Sequence, residues 1–360
     1  MKTDNKSQKI PFHQALTKRA VVLFISLFLL SESSAVSAGN YGLKIVQKLE
    51  TTQQNNTRAE AIKLTKEGIQ LFKQGTAESL TKARQKWQAA LVLWEKLEDK
   101  SSQATTLTAI GRVYDKLGEK QKALSFFNQA LPLHRAVDDR SGEATALTSI
   151  GGVYDALGEK QKALSYYNQA LSLYREVDDK GGEAVTLNNI GLVYDALGEK
   201  QKALSYYNQA LALHRAVDDK GVEAATLNNI GTVYDALGEK QKALSYYNQA
   251  LPLARAVGDR GIEAEILNNI GGVHNALGEK QKALSFFNQA LPLYRAVGDR
   301  GGEATTLNNI GAVYNALGEK QKALSYYNQA LPLYRAVSDR DGEAVTLNNI
   351  GGVYNALGEK

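Results

Sequence analysis

From Gln103 to its last residue the chain says nearly the same thing every 40 residues. Glu303 to Leu317 reads EATTLNNIGAVYNAL, and Gly318 to Arg340 reads GEKQKALSYYNQALPLYRAVSDR. Forty positions earlier stand EAEILNNIGGVHNAL and GEKQKALSFFNQALPLYRAVGDR. A fixed period of this size marks a solenoid, in which one supersecondary unit stacks on copies of itself. It also argues against an active site, because a surface copied six times does not hold one unique catalytic constellation.

Each unit divides into two helices. In the first, Leu307, Ile310, Tyr314 and Leu317 stand at i, i+3, i+7 and i+10, a one-sided helical stripe. Asp299 or a neighbour can cap it, Glu303 suits its first turn, and Gly318 follows its end. Glu319 opens the second helix, whose stripe is Ala323, Leu324, Tyr327, Ala330 and Leu331, continuing to Val337 until Asp339 and Gly342 break it. Pro132, Pro252, Pro292 and Pro332 fall inside this second pattern, where Ser172 and Ala212 also stand. That interchange suggests an outward site that tolerates a bend; an early end to the helix is the competing reading.

Six full units occupy 101–340, and 341–360 is the first helix of a seventh. Residues 58–100 are a divergent founder copy, with Leu64, Gly68 and Leu71 at first-helix spacing and Ala83, Trp87 and Ala90 at second-helix spacing. Residues 39–57 read as a flexible polar lead-in. Ahead of them stands a secretory leader, 1–38: five basic residues, an apolar run of 11 from Ala20 to Leu30, and Val36-Ser37-Ala38 as a cleavage site, with cleavage after Ala38. The run is too short to span a bilayer comfortably. A secreted or periplasmic chain with no membrane span after cleavage is expected. The leader carries five Lys/Arg against two Asp/Glu, so +3 of the chain's +5 charge leaves with it and the remainder is +2. Near-neutrality gives little electrostatic reason to bind nucleic acid. Without cysteine there are no disulfides and no thiolate metal sites.

The recurring Leu307, Ile310, Gly311, Tyr314, Ala323, Tyr327 and Ala330 resemble the signature of the tetratricopeptide repeat, with His274 replacing the tyrosine once. The period of 40 instead of the usual 34 is similar to the long-repeat branch found in kinesin light chains and in cell-polarity scaffolds. The resemblance implies an all-α solenoid of stacked antiparallel helix pairs, a right-handed superhelix whose concave wall is made by first helices, and a scaffold that holds a peptide or partner protein. Similar secreted arrays in bacteria often precede a caspase-like CHAT peptidase. The alternative reading is therefore the regulatory arm of such an enzyme, with a catalytic domain beyond residue 360. Leu347, Ile350, Val353 and Tyr354, with no second helix to cover them, are a candidate face for that domain or for self-association.

Opposite the buried stripe of the first helix lie Asn308, Asn309, Ala312, Asn315 and Ala316. An Asn wall flanked by small residues lets another backbone approach, and each amide both donates and accepts. The Asn pair recurs as Asn188 and Asn189, Asn228 and Asn229, Asn268 and Asn269, Asn308 and Asn309, and Asn348 and Asn349. In the resembling families the second of each pair bonds bound peptide; the structural alternative is that these residues cap or cross-link helices. Along the same wall Asp115, Asp155, Asp195 and Asp235 give way to Asn275, Asn315 and Asn355. This predicts an acidic N-terminal half of the groove, suited to a partner with a basic end. His134, His214 and His274 lack metal-ligand spacing, and the first two, sharing a slot with Tyr174, Ala254, Tyr294 and Tyr334, read as surface variation. No catalytic residue, cofactor or metal is expected. Tyr194 is expected as an interior knob, its loss costing roughly 3–5 kcal/mol.

Overall fold

The structure, a computed structural model, describes residues 35–358. The leader's basic and apolar segments lie outside the described residues. The described chain is all-α, with fifteen helices packed as consecutive antiparallel pairs. It divides into two compact units, Met1–Thr106 and Leu107–Lys360.

In the first unit α1 (Ala35–Gln74) turns through Gly75, at φ +71°, into α2 (Ala77–Lys96). Thr76 caps α2 by accepting from the Ser79 amide. Founder spacing is visible in the packing: Gly68 lies under the Trp87 indole, which donates to the Thr65 carbonyl at 3.2 Å. The segment expected to be a flexible lead-in, 39–57, instead lies within α1. It contains no proline, and the Thr52 and Thr57 hydroxyls bond the carbonyls four residues back.

α3 (Lys100–Lys116) leads into the second unit. First helices there are α5 (Arg140–Ala156), α7 (Lys180–Ala196), α9 (Lys220–Ala236), α11 (Arg260–Ala276), α13 (Arg300–Ala316) and α15 (Arg340–Leu357). They alternate with second helices α4 (Lys120–Ala136), α6 (Lys160–Glu176), α8 (Lys200–Ala216), α10 (Lys240–Val257), α12 (Lys280–Val297) and α14 (Lys320–Ala336). Asp299 caps α13 through the Gly302 amide, and Gly318 ends it at φ +80°. The second helices continue past their prolines, which are exposed, so the outward site holds and an early end to the helix does not. They end through a left-handed residue that sequence reading missed: Gly258 and Gly298 in two copies, but Asp138, Asp178, Asp218 and Ser338 in the others.

The core is a glycine-on-ring packing. A Cβ at Gly111, Gly151, Gly191, Gly231, Gly271 or Gly311 would come within 2.5–2.7 Å of the aromatic ring 16 residues on. Tyr207 is such a ring, 1% exposed. Tyr194, expected as the interior knob, is half-buried and stacks on Tyr206 at 5.4 Å between centroids. Tyr206 and Tyr207, adjacent in sequence, sit about 100° apart on their helix, so only one can face inward. The second-helix stripe continues to Tyr334 and not to Val337, which is exposed.

A second slot, at Tyr174, Tyr294 and Tyr334, is buried between a second helix and the next first helix. His134 and His214 occupy the same slot, and at 2% and 1% exposure they are not surface residues. The residue facing each slot, eight positions on, is small where the slot residue is large, with Val222 opposite His214 the exception. Tyr174, Tyr294 and Tyr334 cover Gly182, Gly302 and Gly342, whereas Ala254 stands with Ile262 in a shared cluster. His134 covers Gly142 and bonds Asp139 at 2.8 Å and Thr108 at 3.2 Å. His214 has Val222 in place of that glycine and an unpartnered, buried Nε2. Loss of water holds the His214 imidazole below its ordinary range.

Within this unit consecutive first helices approach one another within 8 Å between Cα atoms, more extensively than consecutive second helices do. The first helices therefore line the inner side of the bend. On α15, Leu347 is 44% exposed where its counterpart Leu307 is 1%, because no described helix covers it.

Candidate functional site

The inner wall is built from first helices, and the Asn pairs stand on it at α7, α9, α11, α13 and α15. Their amides do not simply face outward. Asn188 Oδ1 on α7 accepts from Thr226 Oγ1 and Asn229 Nδ2 of α9, both at 3.3 Å. Asn268 on α11 accepts in the same way from Thr306 and Asn309 of α13, at 3.2 and 3.3 Å. Asn308 accepts from Thr346 and Asn349 of α15, both at 3.2 Å. The wall is thus a ladder of side-chain hydrogen bonds between neighbouring first helices. Asn is a middling helix former, and the rungs supply the structural reason for it to stand mid-helix.

One rung differs. α11 has Ile266 in place of the ladder threonine, so no hydroxyl reaches Asn228. Asn228 instead donates to Glu265 Oε1 at 2.9 Å and accepts from Asn269 Nδ2 at 3.0 Å. Before the Asn pairs begin, Thr148 and Thr186 make the corresponding contact at 3.4 Å, and Asn189, facing Thr148, makes no rung.

Except at Asn228, whose two amide atoms are both bonded, the ladder consumes only half of each amide. Nδ2 of Asn188, Asn268 and Asn308, and Oδ1 of Asn229, Asn269 and Asn309, have no partner among the described residues. Each repeat of the wall therefore keeps an unused donor or acceptor at one fixed height.

The predicted acidic half of the groove is neutralised. Asp155, Asp195 and Asp235 each form a 2.7 Å ion pair with the lysine five residues on, Lys160, Lys200 and Lys240. Asp115 does the same with Lys120. The link runs around the glycine turn, and the same Nζ reaches the Asp backbone carbonyl. Where the aspartates become Asn275 and Asn315, Lys280 and Lys320 hold the amide oxygen at 2.6 and 2.5 Å and keep their charge. The progression along the chain is from neutral to cationic, not from acidic to neutral.

Against this uniform background two columns of the wall vary, and elsewhere in the repeat only the slot-facing column of Gly182, Val222 and Ile262 varies comparably. One wall column reads Thr105, Thr145, Val185, Ala225, Glu265, Thr305, Val345. The other, seven residues on, reads Arg112, Gly152, Leu192, Thr232, Gly272, Ala312, Gly352. Seven residues is two helical turns, so both columns lie on one face, above and below the second Asn. Glu265 keeps an exposed edge, but the wall packed around its carboxyl, more than nearby Asp299, pushes that carboxyl up despite the Asn228 bond. Sequence reading missed it, although it is the single acidic residue in its column.

Elsewhere the repeats carry a uniform set of staples. Arg175 holds Glu183 at 2.7 Å, as Arg215 holds Glu223 and Arg255 holds Glu263. Tyr154, Tyr194, Tyr234 and Tyr314 each stack on a ring of the next helix under a lysine. His274, the one departure, stacks on Phe286 and bonds Glu279, whose carboxyl it lowers together with Lys282. No described helix is long and apolar enough to cross a membrane.

Comparison with known proteins agrees with this architecture. A family profile described as "Tetratricopeptide repeat" matches residues 76–136, 142–216, 182–256, 222–296, 262–336 and 302–360. No curated protein matches in sequence. Among solved structures, BtubC (BKLC) from P. vanneervenii is 18% identical with a TM-score of 0.51, over 67% of this chain and 92% of that one. The apo form of RapI is 18% identical with a TM-score of 0.62, over 78% and 99%. A Rap protein complexed with competence and sporulation factor is 12% identical with a TM-score of 0.55, over 85% and 99%. At these identities the likeness concerns the fold.

Proposed function

This chain belongs to the tetratricopeptide-repeat family, and on that premise we propose that it is a scaffold that binds an extended segment of a partner protein along its first-helix wall. Repeats of this family generally serve protein–protein interaction, and no catalytic domain is evident among the described residues. The observation that carries the finer reading is the half-used ladder. A polypeptide backbone offers one N–H and one C=O per residue. The wall offers matching unused Oδ1 and Nδ2 atoms at Asn229, Asn269 and Asn309 and at Asn188, Asn268 and Asn308, repeat after repeat. Small neighbours such as Gly272 and Ala312 leave room for that backbone. A Rap protein of similar fold has been solved in complex with competence and sporulation factor, so such an array can hold a ligand. The leader read in the sequence supports export of this scaffold to a secreted or periplasmic location.

A selection of random twelve-residue peptides displayed on phage against the purified chain tests this. We expect enriched sequences whose binding falls at least tenfold when Asn229, Asn269 and Asn309 are all changed to Ala. A selection that enriches nothing, or peptides that bind the triple variant equally well, would overturn the reading.

A further inference from the structure

Resting on that groove reading, we propose the chemistry of the bound segment: an aliphatic side chain over Val185 and Leu192 of α7, and a lysine or arginine about six residues along it, over Glu265 of α11. The argument begins from how unevenly the repeats differ. Most columns of the repeat are almost constant; of the three that take four or more residue types, one faces the buried slot and the other two lie on the groove wall. Variation concentrated where a ligand would lie assigns individual repeats to individual parts of that ligand.

Val185 and Leu192 are 40% and 42% exposed, two turns apart on one helix with Asn189 between them. Their counterparts are Thr145 and Gly152 on α5, Ala225 and Thr232 on α9, Glu265 and Gly272 on α11, and Thr305 and Ala312 on α13. α7 alone of these presents two large aliphatics, an apolar notch that an apolar side chain would cover.

Glu265 is equally singular. Every other carboxylate inside the first helices from Asp115 to Glu303 has a Lys or Arg partner: Asp115, Asp155, Asp195 and Asp235 around the turn, and Glu143, Glu183, Glu223, Glu263 and Glu303 through the arginine eight residues before. Glu265 has only the neutral Asn228 amide, which fixes it at 2.9 Å. Its raised protonation tendency is what a half-desolvated carboxylate without a cation shows. A cationic group supplied by the ligand completes it, with a charge-assisted bond that a neutral residue cannot make.

Spacing follows from helix packing. α7 and α11 are separated by two first-helix intervals of ~10 Å each, so about 20 Å. An extended chain covers that in about six residues at ~3.3 Å each.

The peptides enriched by the selection above, and their affinities for three variants, decide the matter. We expect an aliphatic residue and a Lys or Arg five to seven positions apart in most enriched sequences. Glu265→Lys should abolish the basic preference and keep the aliphatic one, and Glu265→Gln, nearly isosteric, should weaken the tightest peptide roughly tenfold. Val185→Ser with Leu192→Ser should do the reverse, removing the aliphatic preference alone. Enriched peptides without this pair, or with affinities unmoved by Glu265→Gln, would overturn the inference and leave the groove reading standing. An empty selection would instead strike the groove reading, and this inference with it.

Discussion

The buried slot between a second helix and the next first helix makes a quantitative prediction, because the chain contains two solutions to one packing problem. Tyr294 lies over Gly302, so close that a Cβ on that glycine would overlap the ring. Forty residues earlier the same positions hold Ala254 and Ile262, packed in one cluster. Tyr294→Ala alone empties a buried site and should cost about 3 kcal/mol. Gly302→Ile alone drives a branched side chain into the ring and should cost about 2 kcal/mol. Made together they recreate the Ala254–Ile262 pair, a swap that keeps volume roughly constant, and the double variant should lose no more than ~1.5 kcal/mol. Independent sites would add to about 5 kcal/mol, so the expected coupling is about 3.5 kcal/mol in favour of the double change. Urea denaturation gives the global effect. Hydrogen exchange of the α12 and α13 amides gives the local one, which matters because repeat arrays open piecewise. A double variant as unstable as the sum of its parts would refute the idea that the two positions are one packing unit.

His214 supplies a pH dependence. Burial lowers its folded-state affinity for a proton, so the unfolded chain, titrating near the ordinary ~6.5, binds the proton first. Stability should be full above pH ~6.5 and fall as pH drops below it; His214→Ala should flatten that part of the curve, and an unchanged slope would contradict the assignment. Asp178 adopts φ +55° where Gly258 and Gly298 stand in other copies, so Asp178→Gly should stabilise by about 0.5 kcal/mol in thermal melts, and Gly258→Asp should cost about as much. Asn228→Ala deprives Glu265 of its donor and Asn269 of its acceptor, and should cost about 1–2 kcal/mol in urea denaturation. Asn189→Ala, which breaks no rung, should cost under ~0.5 kcal/mol.

The helices, their Asp caps and their glycine turns were legible because they depend on residues within one turn of each other: Asp299 with Gly302, or Gly318 after Leu317. Gly311 and Tyr327 recur together in the repeat, but that one packs on the other was not read from the sequence, which put Tyr194 in the interior instead. What needed coordinates were contacts between copies. Asn188 meets Thr226 and Asn229, 38 and 41 residues away, and a single repeat read alone shows neither partner. Asp195 reads as a free acid until the turn through Gly198 brings Lys200 back to it. His134 and His214 read as surface variation because their slot also holds Tyr and Ala, although Tyr294 and Ala254 are both buried. The slot outweighed the side chain. Glu265 was in plain view but was averaged away by the consensus.

A crystal structure of the chain with the tightest peptide from the selection would test the central claim most directly. We predict the peptide backbone lying across α7, α9 and α11, bonded to Asn229 Oδ1 and Asn269 Oδ1, with the interhelical rungs still in place. A peptide seated on the second helices, or one that leaves these amide oxygens without a new partner, would contradict it.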